Sequence, residues 1–367
     1  MDYNKIRKKT KPVILGGNGI RRCVIGGDAA VSIQTMLNTD PSDFESCLEQ
    51  ARLLQDSGAD IIRLTVPSKE DASVIYRLHN SGIIVPLVAD IHFDYKIALE
   101  AISAGADKIR INPGNIGGDD RVKEVAKACL AHNVPIRIGV NSGSLETDIL
   151  KKYGTPTSEA LYESAMYHIS LLQKYDFDNI VISVKSSDVK TMIEAYRLLS
   201  ANVKYPLHLG VTEAGSKERG AIKSAVGIGS LLCDGIGDTI RVSLTAHPSE
   251  EIAEGRRLLD VLGISDTGIE IISCPTCGRT KVNLIALVKE FETKVSDIKV
   301  GKKIKVAIMG CAVNGPGEAR GADFGVACGD GCGLIFEAGE ILKKVSEDEI
   351  IDTLVRMQRH YESDSHI

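Results

Sequence analysis

Lys108-Ile109-Arg110-Ile111-Asn112 and, after a helical period, Pro135-Ile136-Arg137-Ile138-Gly139-Val140-Asn141 decide how this chain is read. Each is a short run in which β-branched residues alternate with polar ones, the pattern of a strand. Side chains two apart on a strand share a face. Arg110 therefore falls with Asn112, and Arg137 with Asn141 across Gly139. Ile109, Ile111, Ile136, Ile138 and Val140 take the opposite face. Between the runs, residues 122–132 carry amphipathic helical spacing, so the stretch is one parallel strand–helix–strand unit.

Outward from it the unit repeats. Strand runs are predicted at 31–36, 60–66, 86–91, 108–112, 135–141, 179–185, 206–213 and 238–244. Amphipathic stretches at 43–57, 95–104, 122–132, 158–175, 187–199 and 250–262 lie between or after them. Eight strands alternating with helices are the count of a (β/α)8 TIM-type barrel, in the α/β class. A doubly wound sheet would stop at five or six strands, and no glycine-rich dinucleotide fingerprint follows the first run. Residues 1–30 read as a hairpin, with arms Val13-Ile14-Leu15 and Cys23-Val24-Ile25, that caps the barrel. The barrel itself is expected at 31–265. Residues 266–367 then read as a small α+β domain. Strands are predicted there at 268–273, 303–310, 323–328 and 333–337, a helix at 283–298, and a final helix opened by the capping box Ser346-Glu347-Asp348-Glu349.

At 367 residues the chain exceeds what one core serves unless that core is an α/β barrel. A net charge of −5 argues against nucleic acid as partner. No apolar run approaches a membrane span, and the N-terminus lacks an apolar signal segment, so a cytoplasmic enzyme is expected. Nine cysteines in a reducing compartment read as ligands where clustered. Where scattered, as at Cys23, Cys47, Cys129 and Cys233, they read as small core residues.

Chemistry in such a barrel sits at the C-terminal ends of its strands. Those ends carry Arg63, Asp90, His92, Arg110, Asn112, Arg137, Asn141, Lys185, Thr212, Glu213, Arg241 and Ser243. Five cations facing one mouth call for a polyanion, and arginine forks suit phosphate oxygens, so a diphosphate is the simplest ligand. The bland alternative is a salt-bridge layer with Asp90, Asp94 and Glu213. Asp90, His92 and Glu213 are the candidates for proton transfer, with Glu213 first. His208 reads as a satisfied core histidine.

In the second domain, Cys274-Pro275-Thr276-Cys277 offers two thiols on one turn. Cys311 follows, and Glu318 comes after Asn314-Gly315-Pro316-Gly317. Such spacing admits a redox pair, a structural zinc, or an iron–sulfur cluster with three thiolates and one displaceable carboxylate. Spacing alone favours the cluster without closing off zinc. Cys328 and Cys332, in a glycine-rich stretch, read as core residues or additional ligands.

Several long motifs carry a resemblance. They are Val88-Ala89-Asp90-Ile91-His92-Phe93-Asp94-Tyr95, Arg110-Ile111-Asn112-Pro113-Gly114-Asn115-Ile116-Gly117, Ile138-Gly139-Val140-Asn141-Ser142-Gly143-Ser144-Leu145-Glu146, His208-Leu209-Gly210-Val211-Thr212-Glu213-Ala214-Gly215, Cys274-Pro275-Thr276-Cys277 and Val313-Asn314-Gly315-Pro316-Gly317-Glu318. From about residue 10 to 360 the chain resembles the bacterial 4-hydroxy-3-methylbut-2-en-1-yl diphosphate synthase family of the non-mevalonate isoprenoid pathway. The resemblance implies a barrel followed by a 4Fe–4S domain like that of sulfite and nitrite reductases, with Cys274, Cys277, Cys311 and Glu318 as cluster ligands. It implies reductive ring opening and dehydration of 2-C-methyl-D-erythritol 2,4-cyclodiphosphate, fed by flavodoxin or ferredoxin, in a head-to-tail homodimer. The rival readings are a barrel lyase or transferase with a structural zinc domain, and a non-catalytic iron–sulfur scaffold. The chain departs from the family pattern at Ile20-Arg21-Arg22-Cys23 and at Cys328 and Cys332.

Overall fold

The computed structural model describes residues 3–265, 267–295, 298, 300–311 and 321–363. Two strands, β1 (Val13–Gly17) and β2 (Ile20–Ile25), pair as an antiparallel hairpin. Eight parallel strands follow: β3 (Ser32–Met36), β4 (Ile61–Thr65), β5 (Leu87–Asp90), β6 (Lys108–Ile111), β7 (Ile136–Asn141), β8 (Ile180–Lys185), β9 (His208–Leu209) and β10 (Thr239–Ile240). They are ordered β8-β7-β6-β5-β4-β3-β10-β9, and a parallel bridge between Ile182 and Leu207 brings β9 back to β8. The ring is the predicted barrel. Its helices start sharply because aspartates cap them. Asp43, Asp94 and Asp188 each accept a backbone N–H of the first turn, from Ser46, Lys96 and Thr191 respectively. Asp94 is thus spent on a helix cap and is no partner for the mouth arginines.

Val13, Leu15 and Ile25 of the hairpin pack with Ile61, Val88 and Val181, near the starts of β4, β5 and β8. The hairpin therefore plugs the N-terminal end of the barrel and leaves the C-terminal end for chemistry.

Two of the expected strands are far shorter than their sequence runs. The stretches 206–213 and 238–244 pair regularly only at β9 and β10. Just beyond β9 the backbone passes very close to its surroundings. A Cβ on Gly210 would lie 2.8 Å from the Arg241 carbonyl oxygen and 2.8 Å from Lys185 Nζ.

The chain divides into two compact units, Met1–Leu262 and Gly263–Ile367. The second is a five-stranded mixed sheet. β11 (Gly268–Ser273), β12 (Lys303–Met309) and β13 (Phe324–Gly329) run parallel; β14 (Cys332–Glu337) and β15 (Glu340–Ser346) continue antiparallel. Helices Leu284–Val295 and Ile350–Ser363 supply Leu284, Leu287, Phe291, Ile350 and Leu354 to a core with Ile304, Val306, Ile308, Phe324 and Val326. The capping box of Ser346 and Glu349 is present. β15 was not foreseen as a strand. It is an edge strand exposed along most of its length, so no apolar alternation marks it in sequence. Cys233 is exposed rather than in the core, whereas Cys47 and Cys129 are buried.

Candidate active site

The parallel register carries the polar residues of β4, β5, β6 and β7 to one level. Thr65 lies opposite Asp90, Asp90 opposite Arg110, and Arg110 opposite Arg137. Asp90 is the hub. Its buried carboxylate is paired with Arg63 and accepts from Arg110 Nη1 at 3.2 Å. Burial opposes its ionisation, but Arg63 and then Arg110 outweigh that and hold its pKa well below the usual carboxylate range. Burial in turn pulls Arg63 down to about 10 despite Asp90. Arg110 also donates from Nη2 to the Gly139 carbonyl at 2.6 Å, and Gly139 N–H donates to Asn112 Oδ1 at 3.0 Å. With its amide turned to suit its neighbours, Asn141 accepts from Arg110 and donates to Val140 O, each at 3.2 Å.

Arg241 is held differently. Its Nε and Nη2 donate to the two carboxylate oxygens of Glu251, both at 3.2 Å. Glu251 lies near the start of helix Pro248–Val261, is buried, and also accepts from Thr35 Oγ1 and Leu244 N–H. Glu251 is a site residue the sequence reading missed. Its one signal is an acidic side chain in the first turn of the helix that follows the eighth run.

Arg137 and Lys185 are buried and, among the described residues, enter no ion pair with a carboxylate. Two Arg137 nitrogens, Nε and Nη2, find no hydrogen-bond partner. Burial, then neighbouring cations, push both groups well below their ordinary pKa values. Among the described residues, the salt-bridge layer is therefore real for Arg63, Arg110 and Arg241, and absent for Arg137 and Lys185. Five cations face two buried carboxylates.

His92 is half-exposed, with Nε2 3.8 Å from Asp90 Oδ2; burial, more than Asp90's attraction, sets its pKa below the ordinary value. Thr212 and Ser243 are partly exposed. Glu213 is exposed and sits at φ 52°. A non-glycine residue in the left-handed region stores strain, a feature concentrated at functional sites. His208 departs from expectation: it is fully buried, yet neither ring nitrogen has a hydrogen-bond partner among the described residues.

In the second unit the strand ends bring the thiol-bearing loops side by side. Ser273 of β11 lies opposite Ile308 of β12, so Cys274 and Cys311 both follow the C-terminal ends of adjacent parallel strands. Gly310 N–H donates to Cys274 Sγ at 3.3 Å. Cys277 N–H donates to Thr280 Oγ1 at 3.2 Å, and Lys281 N–H to Gly310 O at 3.3 Å. Arg279's backbone N–H, ahead of Thr280, lowers the pKa of the exposed Cys277 thiol. These N–H donors suit thiolates. Among the described residues, however, no three His, Cys, Asp or Glu side chains close around one metal position. Glu318 lies outside the described residues. Cys328 is buried in the core, its pKa pushed up to about 12 chiefly by burial, as for a core cysteine; Cys332 is partly exposed.

The fold and these two loci define a class: a (β/α)8 barrel enzyme with buried cations at its strand ends, followed in the chain by a thiol-bearing α+β domain. Type I 3-dehydroquinate dehydratase from Clostridium difficile is similar at TM-score 0.50 and 15% identity, over 70% of this chain and 98% of that one. The family is decided by sequence. The GcpE TIM-barrel domain matches residues 18–256 and the GcpE protein C-terminal domain matches residues 270–360. The chain is 55% identical to a Clostridium perfringens protein over 96% of its own length and 98% of the relative's. It is 55% identical to one from Fusobacterium nucleatum over 91% and 93%. Both are named 4-hydroxy-3-methylbut-2-en-1-yl diphosphate synthase (flavodoxin). The chain belongs to this GcpE family of iron–sulfur oxidoreductases. Its reaction is the reductive ring opening and dehydration of 2-C-methyl-D-erythritol 2,4-cyclodiphosphate in isoprenoid biosynthesis. No described helix is long and apolar enough to cross a membrane.

Proposed function

We propose that the barrel mouth holds the cyclic diphosphate, and that Cys274, Cys277, Cys311 and Glu318 hold a 4Fe–4S cluster fed by flavodoxin. The observation that carries the substrate site is the pair Arg137 and Lys185, buried without a carboxylate partner among the described residues. Uncompensated buried charge is costly, and phosphate oxygens arriving at the mouth relieve it. Arg63 and Arg110, fixed by Asp90, and Arg241, fixed by Glu251, are pre-oriented for the same anion. Asn112, Asn141, Thr212 and Ser243 orient the substrate's remaining oxygens.

Asp90, already ionised and doubly paired, is a positioning residue and a poor proton donor. His92, with its pKa lowered, is neutral near pH 7 and a weak acid there. Glu213, at the end of the seventh run beside Thr212 and held at φ 52°, is the group assigned to protonate the departing hydroxyl so that it leaves as water. The donor set of the second unit fits the cluster: thiols on neighbouring strand ends, with backbone N–H groups directed at sulfur. Bound there, the cluster supplies electrons singly and a Lewis-acidic iron. Glu318 completes the set as the displaceable oxygen ligand. The functional partnership is a head-to-tail homodimer, for which light scattering should give twice the chain mass.

Glu213→Gln tests the proton donor. Turnover should fall by on the order of 10²–10⁴ while calorimetry finds diphosphate binding intact. Lost binding with no separate effect on turnover would refute the role.

A further inference from the structure

We infer that the solvent face beside the Cys274–Cys277 turn is the docking surface for the acidic electron carrier. This rests on the reading of flavodoxin as donor. Arg279, Lys281 and Lys289 are all exposed and, among the described residues, none enters an ion pair with a carboxylate. Ile285, 69% exposed, lies one helical turn before Lys289 on the face of helix Leu284–Val295 away from the buried Leu284, Leu287 and Phe291. Glu290, next to Lys289 in the chain, is taken by Lys294 at 3.0 Å, and the exposed Glu292 lies one turn beyond Lys289 on the same face. Three exposed cations outside any ion pair among the described residues and one exposed apolar side chain thus fall within residues 279–289, against one further exposed acid, Glu292, in a chain whose net charge is −5. Small, transient electron-transfer contacts have this make-up.

The patch is also wired to the thiols. Thr280 N–H donates to Cys277 O at 3.0 Å, Cys277 N–H donates to the Thr280 hydroxyl, and Lys281 N–H donates to Gly310 O, next to Cys311. Lys281 is therefore held within a few bonds of two of the three thiols, and a carrier seated on it approaches the exposed Cys277 edge. The occupant is a small flavoprotein whose flavin edge is ringed by carboxylates. Each encounter passes one electron, leaving the carrier oxidised by one, and two encounters supply the two electrons of a turnover.

The test uses the iron-loaded full chain and the double variant Lys281→Glu/Lys289→Glu, driven either by reduced flavodoxin or by a chemical reductant. With the chemical reductant the variant should match the native enzyme. With flavodoxin its KM for the carrier should rise about tenfold or more. The native kcat/KM for flavodoxin should fall as salt rises from about 0.01 M to about 0.15 M, as the Debye length shortens from ~30 to ~8 Å, and the variant should lose that slope. Lys281→Arg/Lys289→Arg should retain both native properties. An unchanged flavodoxin KM and salt slope would overturn the proposal. So would an equal loss with both reductants, which would place these lysines in the chemistry instead. If the native enzyme fails with the chemical reductant as well, it is the functional reading that falls.

Discussion

Asp90 holds two arginines in place from the floor of the mouth, so its loss should show first as instability. Asp90→Asn leaves Arg63 and Arg110 buried beside a neutral amide and should cost about 3–5 kcal/mol in denaturant unfolding. Because the folded pKa of Asp90 is depressed, its contribution is fully present above the unfolded value near ~4. It is lost only as pH falls through the lower folded value. Arg137 should behave in the opposite sense. It is a buried charge without a carboxylate, so Arg137→Met should stabilise the apo-enzyme by about 1–4 kcal/mol. The same change should abolish substrate binding by calorimetry, a trade of stability against function. Gly139 marks a third such position. A Cβ there would lie 2.2 Å from Arg110 Nε, so Gly139→Ala must displace that guanidinium and raise KM. Arg110, Asn112, Arg137 and Asn141 could be placed on one face from sequence because a strand has a period of two. Which arginines were already neutralised could not. That depends on Asp90 one strand over and on Glu251 on a helix 10 residues beyond Arg241.

At the scale of elements, the long barrel strands and the helices between them were legible because β-rich runs and amphipathic helical spacing are local signals, whereas the aspartate caps of those helices were recognised only in the structure. β9 and β10 read as long runs but pair over two residues each, since ladder length depends on close approaches such as that at Gly210, which no local pattern records. β15 was illegible for the converse reason: an edge strand has little buried surface to advertise. Helix Pro248–Val261 has a role beyond packing, because it delivers Glu251 to Arg241. Glu251→Ala removes the acceptor for Arg241, Thr35 and Leu244 together. It should cost about 3–5 kcal/mol and raise KM more than it lowers kcat, as steady-state kinetics beside thermal unfolding would record. Phe291, fully buried, anchors the helix Leu284–Val295 that carries the proposed docking face. Phe291→Ala should destabilise the second unit by about 3–5 kcal/mol.

Over the whole molecule, the division into Met1–Leu262 and Gly263–Ile367 puts the buried strand-end cations in one unit and the Cys274, Cys277 and Cys311 thiols in the other. Metal binding to the folded state stabilises only the unit that holds it. Removing iron with a chelator should therefore lower the unfolding transition of the second unit and leave that of the barrel in place, which differential scanning calorimetry would resolve. The alternation of eight strand runs with helices was enough to indicate a barrel with an appended α+β domain. The motifs narrowed it to one family. The most direct test of the central claim is anaerobic turnover of 2-C-methyl-D-erythritol 2,4-cyclodiphosphate by the iron- and sulfide-loaded protein with a chemical reductant. The account predicts ring-opened 4-hydroxy-3-methylbut-2-enyl diphosphate, formed by the native protein and lost in Arg137→Met. Absence of that product from protein with intact iron and sulfide, or its undiminished formation by Arg137→Met, would contradict it.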